Sequence, residues 1–139
     1  MLRGVPPIAV ALAVLTAPSA VADPNQSDLQ YMRTAAGDVR CVVSAEHVGC
    51  ERTSAGGFPS APKSQSGSGN QTVASVEKNG AFHWGDGTIG GGSPEVTLIN
   101  GRTYNFKGWT VLPSVDGTRF TNPASGHGMF VAIDRVEPF

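Results

Sequence analysis

Downstream of residue 28 the apolar positions recur with a period of two, and turn residues cut the pattern into short runs. Leu29 and Tyr31, then Val39, Cys41 and Val43, alternate with polar or small residues across Ala35-Ala36-Gly37-Asp38, which predicts two strands and a turn. Val73 to Lys78 and Ala81 to Trp84 flank Asn79-Gly80, the pair that favours a two-residue hairpin loop. In that register Val73, Phe82 and Trp84 share one face, and Val76 and His83 share the other. A further hairpin is expected from Glu95 to Phe106 around Asn100-Gly101. A three-residue loop, Ile99-Asn100-Gly101, with Gly101 left-handed, brings Val96, Leu98, Tyr104 and Phe106 to one face. Apolar parity then switches from even to odd before Trp109 and Val111, which predicts a bulge at Gly108. Asp116-Gly117 marks another turn before Thr118 to Thr121, and Met129 to Ile133 reads as a closing strand buried on both faces. No stretch sustains a helical period. About eight short antiparallel strands joined by hairpins predict an all-β, single-domain sandwich or small barrel.

The first 22 residues break this pattern. Arg3 precedes an apolar stretch from Val5 to Leu15, and Ala20-Val21-Ala22 supplies the small-x-small site that signal peptidase cuts. An apolar core of about 11 residues is well short of the roughly 20 that a spanning helix needs. The expectation is a signal peptide over 1–22, an exported domain over 23–139, and no stable membrane insertion. Both cysteines, Cys41 and Cys50, lie in the exported part. In an oxidising compartment they are expected to pair as a disulfide. Cys41 opposite Cys50 makes a hairpin with Ala45-Glu46 as its loop and Ser44 facing His47; closing a loop of this size is worth about 2.7 kcal/mol in the chain-entropy model.

Charge narrows the partners. Ten basic and 11 acidic residues give a net charge of −1, with both signs scattered. A nucleic-acid binder concentrates positive charge on one face or run, and none is visible here. From Thr53 to Asn70 the composition turns to Ser, Gly, Pro, Ala and Gln, and a long loop is expected there.

Candidate chemistry is sparse. Gly85-Asp86-Gly87-Thr88-Ile89-Gly90 matches G-x-G-x-x-G, but Gly91-Gly92-Ser93-Pro94 follows where a dinucleotide site needs a helix N-terminus, so a tight β connection is the reading. His47, His83 and His127 are too widely and irregularly spaced for a metal site, and no cofactor is expected. Ser125 lacks the nucleophile-elbow context. Asp38, Asp86 and Asp116 could converge as the carboxylates of a small hydrolase, although no spacing demands it. Trp84, Trp109 and Tyr104 are the ligand-binding candidates: with Phe82 they could form a stacking platform for sugar rings, or equally fill the core of so small a domain.

Thr34-Ala35-Ala36-Gly37-Asp38-Val39-Arg40-Cys41 and His47-Val48-Gly49-Cys50-Glu51 resemble a family of small exported actinobacterial, especially mycobacterial, proteins of unknown function. That family typically shows Ser-Pro-Ser-Gly-Asn-Ile-x-Cys followed by Val-x-Cys-Glu; Thr-Ala-Ala-Gly-Asp here replaces the first five residues. Gly80 to Trp84, Gly117 to Asn122 and Gly126 to Phe130 look similar to mycobacterial relatives too. The resemblance implies secretion and a disulfide, and supplies no activity. The leading expectation is an exported, non-enzymatic domain binding a partner protein or cell-envelope component; the alternatives are a carbohydrate-binding module that takes an envelope glycan, and a small carboxylate-dependent hydrolase. Intact-mass spectrometry of the exported protein is expected to give a chain beginning at Asp23 and lacking the mass of two hydrogens; a start elsewhere, or the full thiol mass, contradicts the processing or the pairing.

Overall fold

The computed structural model describes Gly4 and residues 28–139, so the signal segment and the start at Asp23 lie outside the described residues. The described residues form eleven strands and no helix. In chain order these are β1 (Gln30–Arg33), β2 (Val39–Val43), β3 (His47–Arg52), β4 (Val73–Glu77), β5 (Phe82–Gly85), β6 (Glu95–Thr97), β7 (Tyr104–Phe106), β8 (Trp109–Ser114), β9 (Gly117–Thr121), β10 (Gly128–Val131) and β11 (Val136–Pro138). Two sheets result: six strands in the order β5-β4-β3-β2-β1-β6, and five in the order β11-β10-β9-β8-β7.

The centre of the larger sheet is the expected cysteine hairpin. Cys41 pairs with Cys50 and Val43 with Val48, the Ser44 amide donates to the His47 carbonyl, and the cysteines are joined as a disulfide. Because side chains alternate, Met32, Val39, Cys41, Val43, Val48 and Cys50 point into the core. The second sheet answers with Trp109, Val111, Phe120, Met129 and Val131. The Trp109 indole N–H donates to the Ser44 carbonyl at 3.0 Å, tying β8 to the β2–β3 turn of the opposite sheet.

Four expectations need correction. The Asn79-Gly80 hairpin pairs Val76 with Phe82 and Ala74 with Trp84, one residue away from the two-residue register. Gly80 has φ +94° while Asn79 is not left-handed, so the turn is a three-residue loop ending in a left-handed glycine, and Val76 joins the aromatic face in place of Val73. His83 still faces away from the rings. Next, Glu95 to Phe106 is not a hairpin. β6 pairs parallel with β1, β7 pairs with β8, and the two strands belong to different sheets. Gly101 is left-handed as expected (φ +87°), but it turns the chain from one sheet to the other, so Val96, Leu98, Tyr104 and Phe106 meet the same core from both sides. Gly108 is no bulge: Lys107 and Gly108 have φ +53° and +87°, the primed-turn signature, and set Phe106 opposite Trp109. Finally, the closing strand is buried on one face only, with Met129 and Val131 inward, Phe130 outward and Ile133 46% exposed. A short β11, without an apolar pattern of its own, pairs beside it.

The stretch from Thr53 to Asn70 is held rather than loose. Phe58 is fully buried and packs on Trp84 with ring centroids 5.6 Å apart, while Arg52 Nη1 donates to the Gly57 carbonyl and Asn70 Nδ2 to the Phe58 carbonyl. A Phe58→Ala variant is expected to lose about 3–5 kcal/mol of stability in urea unfolding, against under about 0.5 kcal/mol for Leu112→Ala on the open surface; similar losses from both contradict a plugged core.

Candidate functional site

Three regions bring polar or exposed apolar groups together. The first is the outer face of the six-stranded sheet. Strands β5 and β6 are its opposite edges, and the glycine-rich segment between them crosses that face. The Gly87 carbonyl accepts from Thr72 Oγ1 at 2.7 Å, the Ile89 amide donates to Glu51 Oε2 at 2.9 Å, and Gly91 passes between Glu95 and Arg40. Gly92 then lies against the Tyr31 ring, and the Pro94 carbonyl accepts from Gln30 Nε2. The segment thus steps over β4, β3, β2 and β1 in turn, and leaves Glu51 8% exposed. No helix follows the G-x-G-x-x-G pattern; its glycines let the backbone lie flat on the sheet.

The second region is the edge around Glu77. His47 lies opposite Glu77, His83 Nε2 is 4.0 Å from Glu77 Oε1, and Lys78 pairs with Glu46 at 3.0 Å. His47 Nδ1 is hydrogen-bonded to Ser44 Oγ. His127 is apart from both, between the β4–β5 turn and the Phe139 carbonyl. Among the described residues no three His, Cys, Asp or Glu are placed to hold a metal ion. Ser125 Oγ donates to the Lys78 carbonyl, which ties the 122–127 loop to the other sheet.

The third region is a cleft at one end of the sandwich, about 110 Å³ in volume, where the β1–β2 turn, the β8–β9 turn and the end of β10 meet. Its floor is Val39, Thr118, Val131 and Ala132, all nearly buried, and its rim includes Ala35, Ala36, Val115 and Ile133. Val115 is 87% exposed at the tip of the β8–β9 turn. Ile99, also exposed, adjoins the rim residue Asn100. Of the four large aliphatic side chains exposed among the described residues, Val115 and Ile133 line the cleft and Leu112 and Ile99 do not. Asp38 and Asp116 line the cleft and, among the described residues, no basic residue does. Asp38 accepts from the Thr34 hydroxyl at 2.8 Å.

The aromatic candidates do not assemble into a platform. Trp109 is fully buried, which leaves no ring face for a sugar. Trp84 is half-buried against Phe58 and Phe82, and Tyr104 is half-buried against Phe106, its hydroxyl taking the Ile99 amide proton. Asp86 accepts from the Gln65 amide, away from Asp38 and Asp116. The sequence marked Asp116-Gly117 as a turn, yet its most informative neighbour is Val115, an aliphatic residue at a position where polar residues are usual. No protein-family model, curated protein or solved structure matches the chain, so function rests on these local arrangements.

The crossing segment can be tested directly. A Cβ on Gly92 runs into the Tyr31 ring, whereas one on Gly91 meets nothing closer than 3.5 Å. Gly92→Ala is expected to accelerate amide hydrogen exchange at Ile89 by lifting it from Glu51, and Gly91→Ala to leave it unchanged. Equal exchange in the two variants contradicts the close approach.

Proposed function

We propose that this protein is an exported, disulfide-linked β-sandwich that binds a partner protein of the cell envelope or its surroundings through the cleft between the β1–β2 and β8–β9 turns. The observation that carries the reading is the exposure of Val115 and Ile133 together at the mouth of that cleft. Scattered exposed aliphatics are ordinary, but a group of them around a concavity marks an interaction surface. Export is supported by the disulfide and by the leader read from the sequence. Among the described residues no helix is long and apolar enough to cross a membrane. The resemblance to exported actinobacterial proteins points the same way.

One observation favours a second reading, a hydrolase using two carboxylates: Asp38 and Asp116 do share the cleft. Val115 and Ile133 at its mouth suit binding better than acid–base work, and Ser114, the hydroxyl beside them, is already donating to the Gly117 carbonyl. The carbohydrate reading loses its platform with the burial of Trp109.

A photo-crosslinking residue at Val115, compared with one at Leu112, separates these readings. The protein is incubated with the envelope and secreted proteins of its source cell. A defined adduct is expected at Val115 and not at Leu112, suppressed by excess wild-type protein but not by excess Val115→Asp protein. Equal adducts at both positions, or equal suppression by both competitors, overturns the site.

A further inference from the structure

Resting on that reading, the lining of the cleft also restricts what can enter it. The volume of about 110 Å³ is smaller than the roughly 150 Å³ cavity that accommodates a benzene ring. The cleft is open to solvent on one side, and one branched aliphatic side chain is of a size to seat in it. The aliphatic side chains that would touch it are Val39, Val131 and Ala132 beside Thr118 on the floor, and Val115 and Ile133 at the mouth.

Charge sets the second condition. Asp116 is exposed on the rim beside Val115, Asp38 is half-buried on the side wall, and among the described residues no Lys, Arg or His lines the cleft. The nearby Asp134 is met by Arg135 at 3.4 Å, which leaves Asp38 and Asp116 as the charged groups of the lining. An anionic lipid surface is repelled by such a rim, and an acidic peptide likewise. A cationic group beside the anchoring side chain is attracted to it.

We propose that the cleft receives a short extended peptide segment of a partner protein in which one leucine, isoleucine or valine is flanked by lysine or arginine. The aliphatic side chain seats between Val115 and Ile133 over Val131, and the flanking cation meets Asp116, with Asp38 adding to the potential from the wall. Aliphatic burial supplies the affinity; the carboxylates select against acidic neighbours.

The test uses the full exported chain, isotope-labelled, with three blocked heptapeptides that differ only at their centre: Gly-Ser-Lys-Leu-Lys-Ser-Gly, the same with Glu-Leu-Glu, and the same with Lys-Gly-Lys. The Lys-Leu-Lys peptide is expected to shift the amide resonances of Val39, Thr118, Val131 and Ala132, and to bind at least fivefold more tightly than either of the others. Asp116→Asn, an exposed change that leaves the fold intact, is expected to weaken Lys-Leu-Lys binding severalfold and to flatten its salt dependence. Vesicles with and without anionic phosphatidylglycerol are expected to leave these resonances unmoved. Equal binding of the Glu-Leu-Glu peptide overturns the cationic requirement while leaving the cleft as a docking surface. Equal binding of Lys-Gly-Lys overturns the aliphatic anchor. Shifts confined to other regions, vesicle binding at these resonances, or no shift with any peptide at millimolar concentration overturns the proposal. If the crosslink at Val115 persists in that last case, the docking site survives and only its ligand chemistry fails.

Discussion

The pairing of Cys41 with Cys50 is the constraint on which the rest depends. Strand side chains alternate, so fixing this one pair decides which residues of β1 to β5 meet the core and which meet solvent. A slip by one residue would turn Arg40, Val42 and Glu51 inward and expel Val39, Val43 and Val48. The covalent link removes that alternative. It also fixes the β2–β3 turn, whose Ser44 carbonyl takes the buried indole N–H of Trp109. Without that acceptor the core's largest side chain would hold an unpaired donor, a cost of about 1–3 kcal/mol.

The same register explains the outer face. Glu51 points out from β3 because Cys50 points in, and a carboxylate in the middle of a broad sheet would ordinarily stand in water. Here the Ile89 amide reaches it from the glycine-rich crossing. That crossing exists because β5 and β6 occupy opposite edges of one sheet, so the chain must traverse the sheet to join them. Any side chain at Gly92 would hold the backbone off Tyr31, and Gly49 leaves the hollow that receives the Ile89 side chain. The glycines therefore serve a geometric demand of topology, not a phosphate.

What could be read from the sequence follows from how far each signal reaches. The cysteine hairpin, the turn at Gly37 and the left-handed Gly101 were legible because they are settled by a few neighbouring residues. The split between β6 and β7 was not. Each strand is three residues long, and nothing local distinguishes an Asn-Gly that closes a hairpin from one that passes the chain to a second sheet. The deciding factors are distant: the open edge of β1 for Val96, and the immediate Lys107-Gly108 turn for Phe106. Phe58 was likewise hidden, a single apolar residue in a Ser- and Gly-rich run with no period to announce its burial. Of the site, Asp38 and Asp116 were visible as turn residues, but their sharing of one cleft is a property of sandwich closure.

That closure also argues for where binding occurs. The outer face of the larger sheet is partly occupied by the glycine crossing. On the smaller sheet, Arg119 lies 4.0 Å over the Phe139 ring and Arg135 5.2 Å over Phe130, so these half-buried rings already carry cations. The ends of the sandwich remain, where turns can vary without disturbing either ladder. At one of them a turn carries valine at its tip, and placing that side chain in water gains nothing for the fold. Ile133 repeats the same exposure across the same hollow. Two such side chains at one cleft gain nothing for folding by standing in water and gain on being covered together, which is the energetic mark of a surface shaped for a partner.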